Sequence, residues 1–244
     1  MGEQRSHPSS LRGRLADVFV PALLDGGFGA LSQRLGSRAG LVDPRDGRAV
    51  GLSAIDPVLS RLGSWLRGLD GVYRSVASTT GASCDVAEGI LETTAGTSLP
   101  IAVVAERRRL REIELRLYYR AEDPAHPPAP QSRTEAALPQ LVTHVLDALA
   151  KGAVERILSA FEEASRIVDA EGHAHSKRDG RMATFLSNLG LRVELDVLSA
   201  TDDGRTCAVE GNLVRPFQGP DVTPTLLAFE RGDTGLFREL RTYF

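Results

Sequence analysis

The sequence predicts an α+β fold written twice: two tandem domains, each with about three N-terminal helices packed on one face of a curved, mainly antiparallel sheet. Three observations carry this. Residues 121–136 hold four prolines and little that can pack, and read as a linker. The stretches on either side repeat one another: "LLDGGFGALSQRLGSRAGLVDP" is matched by "LAKGAVERILSAFEEASRIVDA", "VAEGILE" by "AVEGNLV" and "EIELRLYY" by "RELRTYF". In both copies helical apolar spacing comes first and strand-like alternation afterwards, the order of an α+β unit.

The expected boundaries are a flexible N-terminus over 1–11, a first domain over 12–120, the linker over 121–136 and a second domain over 137–244. Each copy is of ordinary domain size. The first helix is expected near 12–24 and again near 137–151. Gly26 and Gly152 end it, as glycine does beyond a helix C-terminus. Pro21 should kink or shorten the first of these helices. A second short helix follows, and then a short strand that ends on an aspartate. That residue is Asp43 or Asp169, 17 positions after Gly26 or Gly152. The third helix of copy one should start at Asp56-Pro57, an N-cap with proline behind it. Three or four strands complete each copy, joined by turns such as "DDGR" and "RGDTG".

Net charge is −3, which argues against nucleic acid or an anionic membrane surface as partner. The longest apolar runs, "VFVPALL" and "IAVVA", are too short to span a bilayer. No secretory signal is expected from the N-terminal stretch, and its myristoylation-like "MGEQRS" is read as chance. Cys84 and Cys207 are the only cysteines and lie far apart, which favours free thiols. Arginine, alanine, glycine and proline dominate over lysine, as in high-GC bacterial coding. The expectation is a bacterial, cytoplasmic protein.

The succession of helix, glycine, helix, "V-D-P", helix and a meander ending in "E-L-R-x-Y" resembles the SnoaL-like branch of the nuclear transport factor 2-like superfamily. Ketosteroid isomerases, polyketide cyclases and limonene-type epoxide hydrolases belong there. The resemblance covers nearly the whole chain as two tandem domains, and implies cone-shaped domains with a pocket between sheet and helices. A fold of this kind hosts many functions.

The resemblance implies that Asp43 and Asp169 occupy the general-base position of ketosteroid isomerases. A carboxylate in an apolar cavity has a raised pKa and can move a proton between two atoms of a ligand. The remaining isomerase site is missing. The tyrosine position, 24 residues before the aspartate, holds Phe19 and Val145, and the second acid position falls on Ala102 and near Leu226 or Leu227. Without an oxyanion donor a true steroid isomerase is excluded. Strand alternation puts Leu115, Leu117 and Tyr119 on one face and Glu114, Arg116 and Tyr118 on the other. The apolar face should line the pocket, with the Tyr119 hydroxyl inside it. In copy two that face is Leu240, Thr242 and Phe244.

Copy one therefore offers an acid and a phenol, copy two an acid alone, which favours the first half as the active one. The expected catalytic residues are Asp43, Asp169 and Tyr119. The expected pocket lining is Phe19, Ala102, Leu115, Leu117, Val145, Leu240 and Phe244. Asp70, Glu194 and Asp196 are the nearest second acids, with Glu194 and Asp196 facing out. His173 and His175 in "GHAHS" lack a placed third ligand, so no metal site is expected, and a solvated loop is the simpler reading. His144 should pack at the rim of the pocket. "GLSAI" lacks the surroundings of a nucleophile elbow, and "GGFGAL" is no phosphate loop. Arg116 and Arg241 should pair outward with Glu114 and Glu239. Asp43 and Asp169 also suit a purely structural turn.

The reading is a cofactor-independent pocket protein that performs isomerisation, cyclisation or epoxide opening on an apolar, polyketide-type ligand. The alternative is a non-catalytic binding module of the same fold. The two halves should pair as a pseudo-two-fold intramolecular dimer through the outer sheet faces, leaving the chain mainly monomeric.

Overall fold

The computed structural model describes residues 13–108, 112–121, 137–188, 193–214 and 222–244. The expected N-terminal segment 1–11, with its "MGEQRS", and residues 122–136 of the expected linker lie outside the described residues. The first half runs α1 (Leu15–Leu24), α2 (Phe28–Leu35), β1 (Gly40–Asp43), β2 (Gly47–Val50) and α3 (Leu52–Gly68). The meander β3 (Gly71–Thr80), β4 (Cys84–Thr93), β5 (Ser98–Arg107) and β6 (Ile113–Tyr118) completes it. The second half repeats this order: α4 (Gln140–Ala150), α5 (Val154–Ser159), β7 (Phe161–Val168), β8 (Ala174–Ser176) and α6 (Arg181–Asn188). Its meander is β9 (Glu194–Asp202), β10 (Thr206–Val214), β11 (Val222–Arg231) and β12 (Phe237–Tyr243).

Each half forms one sheet, β2-β1-β6-β5-β4-β3 or β8-β7-β12-β11-β10-β9. All pairings are antiparallel except β1 with β6 and β7 with β12. The duplicated α+β cone is thus the observed architecture. Two details differ from expectation. The aspartate strand has a hairpin partner in each half, β2 and β8, so each sheet has six strands. The third helix starts at Leu52, not at Asp56-Pro57. Gly51, with φ of 82°, turns the chain off β2, and its carbonyl accepts from Ala54 and Ile55 at 3.1 and 3.0 Å. Pro57 lies inside the helix, where its missing N–H withholds one i→i−4 hydrogen bond. The α1 helix passes through Pro21 and ends at Leu24.

Period-2 alternation sorts the strand residues into two layers. Leu115, Leu117 and Tyr119 join Phe19, Leu23 and Ile55 in the core beneath the first half's helices. Val209, Phe229 and Leu240 join Val145 and Met182 in the equivalent core of the second. The opposite faces of the two sheets meet in a third apolar layer that includes Val86, Ala102, Val104 and Tyr118 from one half and Ala208, Leu226, Ala228 and Tyr243 from the other.

Polar residues on these outer faces close the seam. Arg116 Nε and Nη2 each donate to a Glu210 carboxylate oxygen at 2.7 Å, and Tyr118 donates its hydroxyl to the same carboxylate at 2.7 Å. The reciprocal set joins Arg241 to Glu88 at 2.7 and 3.0 Å, with Tyr243 donating at 2.8 Å. Residue i of one half meets residue j of the other and j meets i, the signature of a two-fold interface. The halves form a pseudo-two-fold dimer within one chain. Burial works against the Glu210 charge, yet the Arg116 guanidinium holds its carboxyl below the usual range. Arg116 does pair with Glu114, at 3.5 Å, as alternation suggested, but its main partner lies across the seam.

Candidate functional site

The two aspartates end up in the same local device. β1 and β7 each run beside the last strand of their sheet and then turn sharply into a hairpin. At that turn Asp43 Oδ1 accepts the amides of Arg45 and Asp46, both at 2.9 Å. Asp169 Oδ1 accepts the amides of Glu171 and His173 at 3.0 and 2.9 Å. In each case one carboxylate oxygen is used by the turn and the other is left for something else.

What the second oxygen meets separates the halves. Asp43 Oδ2 accepts the Tyr119 hydroxyl at 2.9 Å. Trp65 stacks on the Tyr119 ring at 5.2 Å between centroids, and the Arg45 guanidinium lies over Trp65 at 4.5 Å. This lid seals the pair: Asp43 is 0% and Tyr119 1% exposed. Burial raises the Asp43 pKa, and the hydrogen bonds from Tyr119, Asp46 and Arg45 offset it only in part. Burial and the adjacent carboxylate push the Tyr119 phenol up in turn. Among the described residues this pair shares one buried core with Phe19, Leu41, Leu59, Leu115 and Leu117, which fill the space where a cavity was expected.

The second half keeps its hollow. A cavity of about 250 Å3 is walled by Leu149, Ile167, Phe185, Leu186, Leu227 and Leu240, with Phe244 and Thr242 at the strand end. Asp169 lies in that wall. Its Oδ2 meets His175 Nε2 at 2.9 Å, and the His175 ring stacks on Phe185 at 4.2 Å. Asp169 is therefore an oriented carboxylate, backed by an imidazole, on an apolar cavity.

The structure brings Leu240, Phe244 and Asp169 together on this cavity, and Phe19, Leu115, Leu117, Asp43 and Tyr119 together in the filled core. Val145 is buried in the second core. Ala102 needs correction: it pairs with Tyr118, shares its outward face and lies in the layer between the halves, not in the core beneath the helices. The first half's acid and phenol are packed in its core, whereas the cavity of about 250 Å3 lies beside the equivalent Asp169 in the second. Glu194 and Asp196 are exposed, as alternation requires. Asp70 is exposed too, accepting from Thr94 at 3.1 Å. His144 reaches the Arg156 carbonyl at 3.2 Å.

His175 is the residue that the sequence undervalued. Its only signal was the spacing to Asp169, six residues across a hairpin whose second strand was not foreseen. Asp169, Glu171 and His173 also bring one donor atom each within 4.8 Å of one another, a group that does not include His175. Glu171 and His173 are exposed, and Glu171 is paired with Arg120. Among the described residues no helix is long and apolar enough to cross a membrane.

No protein-family model and no curated protein matches the chain. In structure it is similar to a putative polyketide cyclase from Sinorhizobium meliloti, at 19% identity over 43% of this chain and 94% of that one, with a TM-score of 0.38. It is similar as well to a ketosteroid isomerase-like protein from Catenulispora acidiphila solved with trimethylamine, at 15% identity over 44% and 87%, TM-score 0.39. A third likeness is to the orange carotenoid protein of Anabaena (Nostoc) binding canthaxanthin, at 15% identity and TM-score 0.40 over 48% of this chain. The chain spans only 39% of the length of that carotenoid protein.

Proposed function

We propose that this chain is a small-molecule pocket protein whose working cavity lies in the second half, and that Asp169 moves a proton there. The observation that carries the reading is the placement of Asp169 in the wall of a mainly apolar cavity of about 250 Å3. Such a cavity takes an apolar body, and a carboxylate fixed by two amides is aimed before the ligand arrives. A proton taken from one ligand atom can be returned to another by the same oxygen, with His175 steadying the charge. This chemistry is isomerisation or cyclisation in type and asks for no cofactor. Asp43 and Tyr119 are assigned the structural half of the same device, because both are fully buried and bonded to each other.

Naphthol, a flat apolar phenol whose excited state is strongly acidic, tests this without knowledge of the natural ligand. Bound beside Asp169 it should emit as naphtholate after proton transfer, and Asp169→Asn should abolish that emission while Asp43→Asn does not. Unchanged emission in Asp169→Asn would remove the proton-transfer role.

A non-catalytic module is the second reading, favoured by the filled core of the first half. Binding of naphthol with no naphtholate emission selects it. We further propose that the internal pairing of halves leaves the chain monomeric, which light scattering at the mass of one chain checks.

A further inference from the structure

We infer that the ligand of the second-half cavity is an amphipathic anion, with an apolar body inside and a carboxylate or phosphate head held outside by arginines of the first half. This rests on the reading of that cavity as the working site.

The cavity is not isolated. Its wall includes Arg120, Ala170 and Glu171, and these three also line a hollow of about 760 Å3 beside it. That hollow is bounded on its far side by Thr97, Ser98 and Leu99. The same three residues and Arg120 line a further cleft of about 400 Å3, which adds Arg45, Arg61 and Trp65. Arg120 is common to all three spaces. A trench therefore leads from the apolar cavity of one half to a group of three guanidinium groups on the other.

Across the three spaces Arg45, Arg61 and Arg120 are matched in number by Asp46, Asp169 and Glu171, but the charges are segregated: the cleft holds all three arginines against Asp46 alone. Arg61 is committed to Asp46, at 2.9 Å from Nε and 2.6 Å from Nη2. Arg120 rests on Glu171 in an ion pair whose side chains are 58% and 48% exposed. A pair that open to water is weak and easily exchanged. Arg45 lies over Trp65, and no carboxylate pairs with it among the described residues. The cleft end of the trench is thus positive, while Asp169 and Glu171 lie at the cavity end, and Arg120 can trade Glu171 for a ligand head. Guanidinium forks match carboxylate and phosphate oxygens two at a time. The Thr93, Thr97 and Ser98 hydroxyls in the same cleft add neutral donors.

The full chain can be titrated with decanoate, decyl phosphate and decanol, each below its micellar concentration. Calorimetry gives the affinity, and Trp65, the single tryptophan, reports the head end by its fluorescence. The anions should bind about tenfold tighter than the alcohol, the scale of one charge-assisted contact. The tighter of the two names the head group. Arg45→Gln with Arg120→Gln should collapse that preference. Glu171→Gln, which releases Arg120, should raise decanoate affinity above that of the unaltered chain; a lesion of the fold would weaken all three ligands alike. Equal affinity for the acid, the phosphate and the alcohol overturns the anionic head and spares the cavity. Failure of all three to bind overturns both.

Discussion

Arg116 of β6 and Glu210 of β10 face each other across the seam between the halves as a two-point fork, both contacts at 2.7 Å. They are 94 residues apart in the chain, and their counterparts Arg241 and Glu88 are 153 apart. All four belong to the repeated segments, so a single ancestral contact serves twice. Tyr118 and Ser199 take up the remaining lone pairs of Glu210, and Glu106 the remaining Arg116 donor at 2.6 Å. Satisfied in this way, the pair aligns the two sheets and excludes water from the apolar layer around it.

Removing one member should therefore be worse than removing both. Arg116→Met leaves a fully buried carboxylate without its cation and should cost about 3–5 kcal/mol in urea unfolding. Arg116→Met combined with Glu210→Met should recover most of that loss, since a matched apolar pair fits the surrounding layer. A single variant as stable as the double one would show that the fork does not hold the seam.

This seam also shows where sequence reading stopped. The doubling, the helix-then-meander order and the alternating faces of "EIELRLYY" were legible because each is a local pattern. Glu88 and Glu210 were visible only as an echo inside "VAEGILE" and "AVEGNLV"; nothing local says that a glutamate on a strand face pairs with an arginine of another domain. The same limit explains the two hollows. Spacing put Asp43 and Asp169 at one position, but whether the space beside them is filled depends on side chains gathered from many elements, such as Phe19, Leu59 and Leu117. The start of α3 was missed for a different reason: Gly51 outcompeted a good N-cap signal by its backbone conformation.

Loss of the Tyr119 hydroxyl should destabilise the first half. Tyr119→Phe leaves Asp43 Oδ2 buried without a donor, at a cost of about 1–3 kcal/mol. It should also raise the Asp43 pKa further, because that hydrogen bond now holds it down. Thermal unfolding at neutral pH measures the first effect and carboxyl titration by nuclear magnetic resonance the second. An unshifted Asp43 would mean that the phenol does not act on it.

Acid should act on Glu210 and Asp43 with opposite sign. The folded pKa of Glu210 is held down by Arg116, so its stabilisation is present above the ordinary value of 4.5 and is lost as pH falls through the lower folded value. Asp43 is raised above 3.8, so between that value and its folded pKa the native state binds more proton than the unfolded one. Its contribution to stability therefore declines as pH rises through this window. Asp43→Asn removes that decline. The stability of this variant relative to the unaltered chain should increase from pH 4 to pH 7, read from urea midpoints. A variant that instead loses stability relative to the unaltered chain as pH rises over the same range would contradict the burial of a charged Asp43.

Leu115 and Leu240 hold equivalent places on β6 and β12, and enlarging each should separate the two hollows. Leu115 is 0% exposed within the filled core, so Leu115→Trp must push aside packed neighbours and should cost about 1–3 kcal/mol or more. Leu240 borders about 250 Å3 of empty space, so Leu240→Trp can place its ring there, with a change in stability below about 1.5 kcal/mol. The same substitution should abolish naphthol binding by occupying the site. Equal destabilisation at both positions would mean that the second hollow closes in solution. Retained binding in a folded Leu240→Trp variant would place the ligand elsewhere.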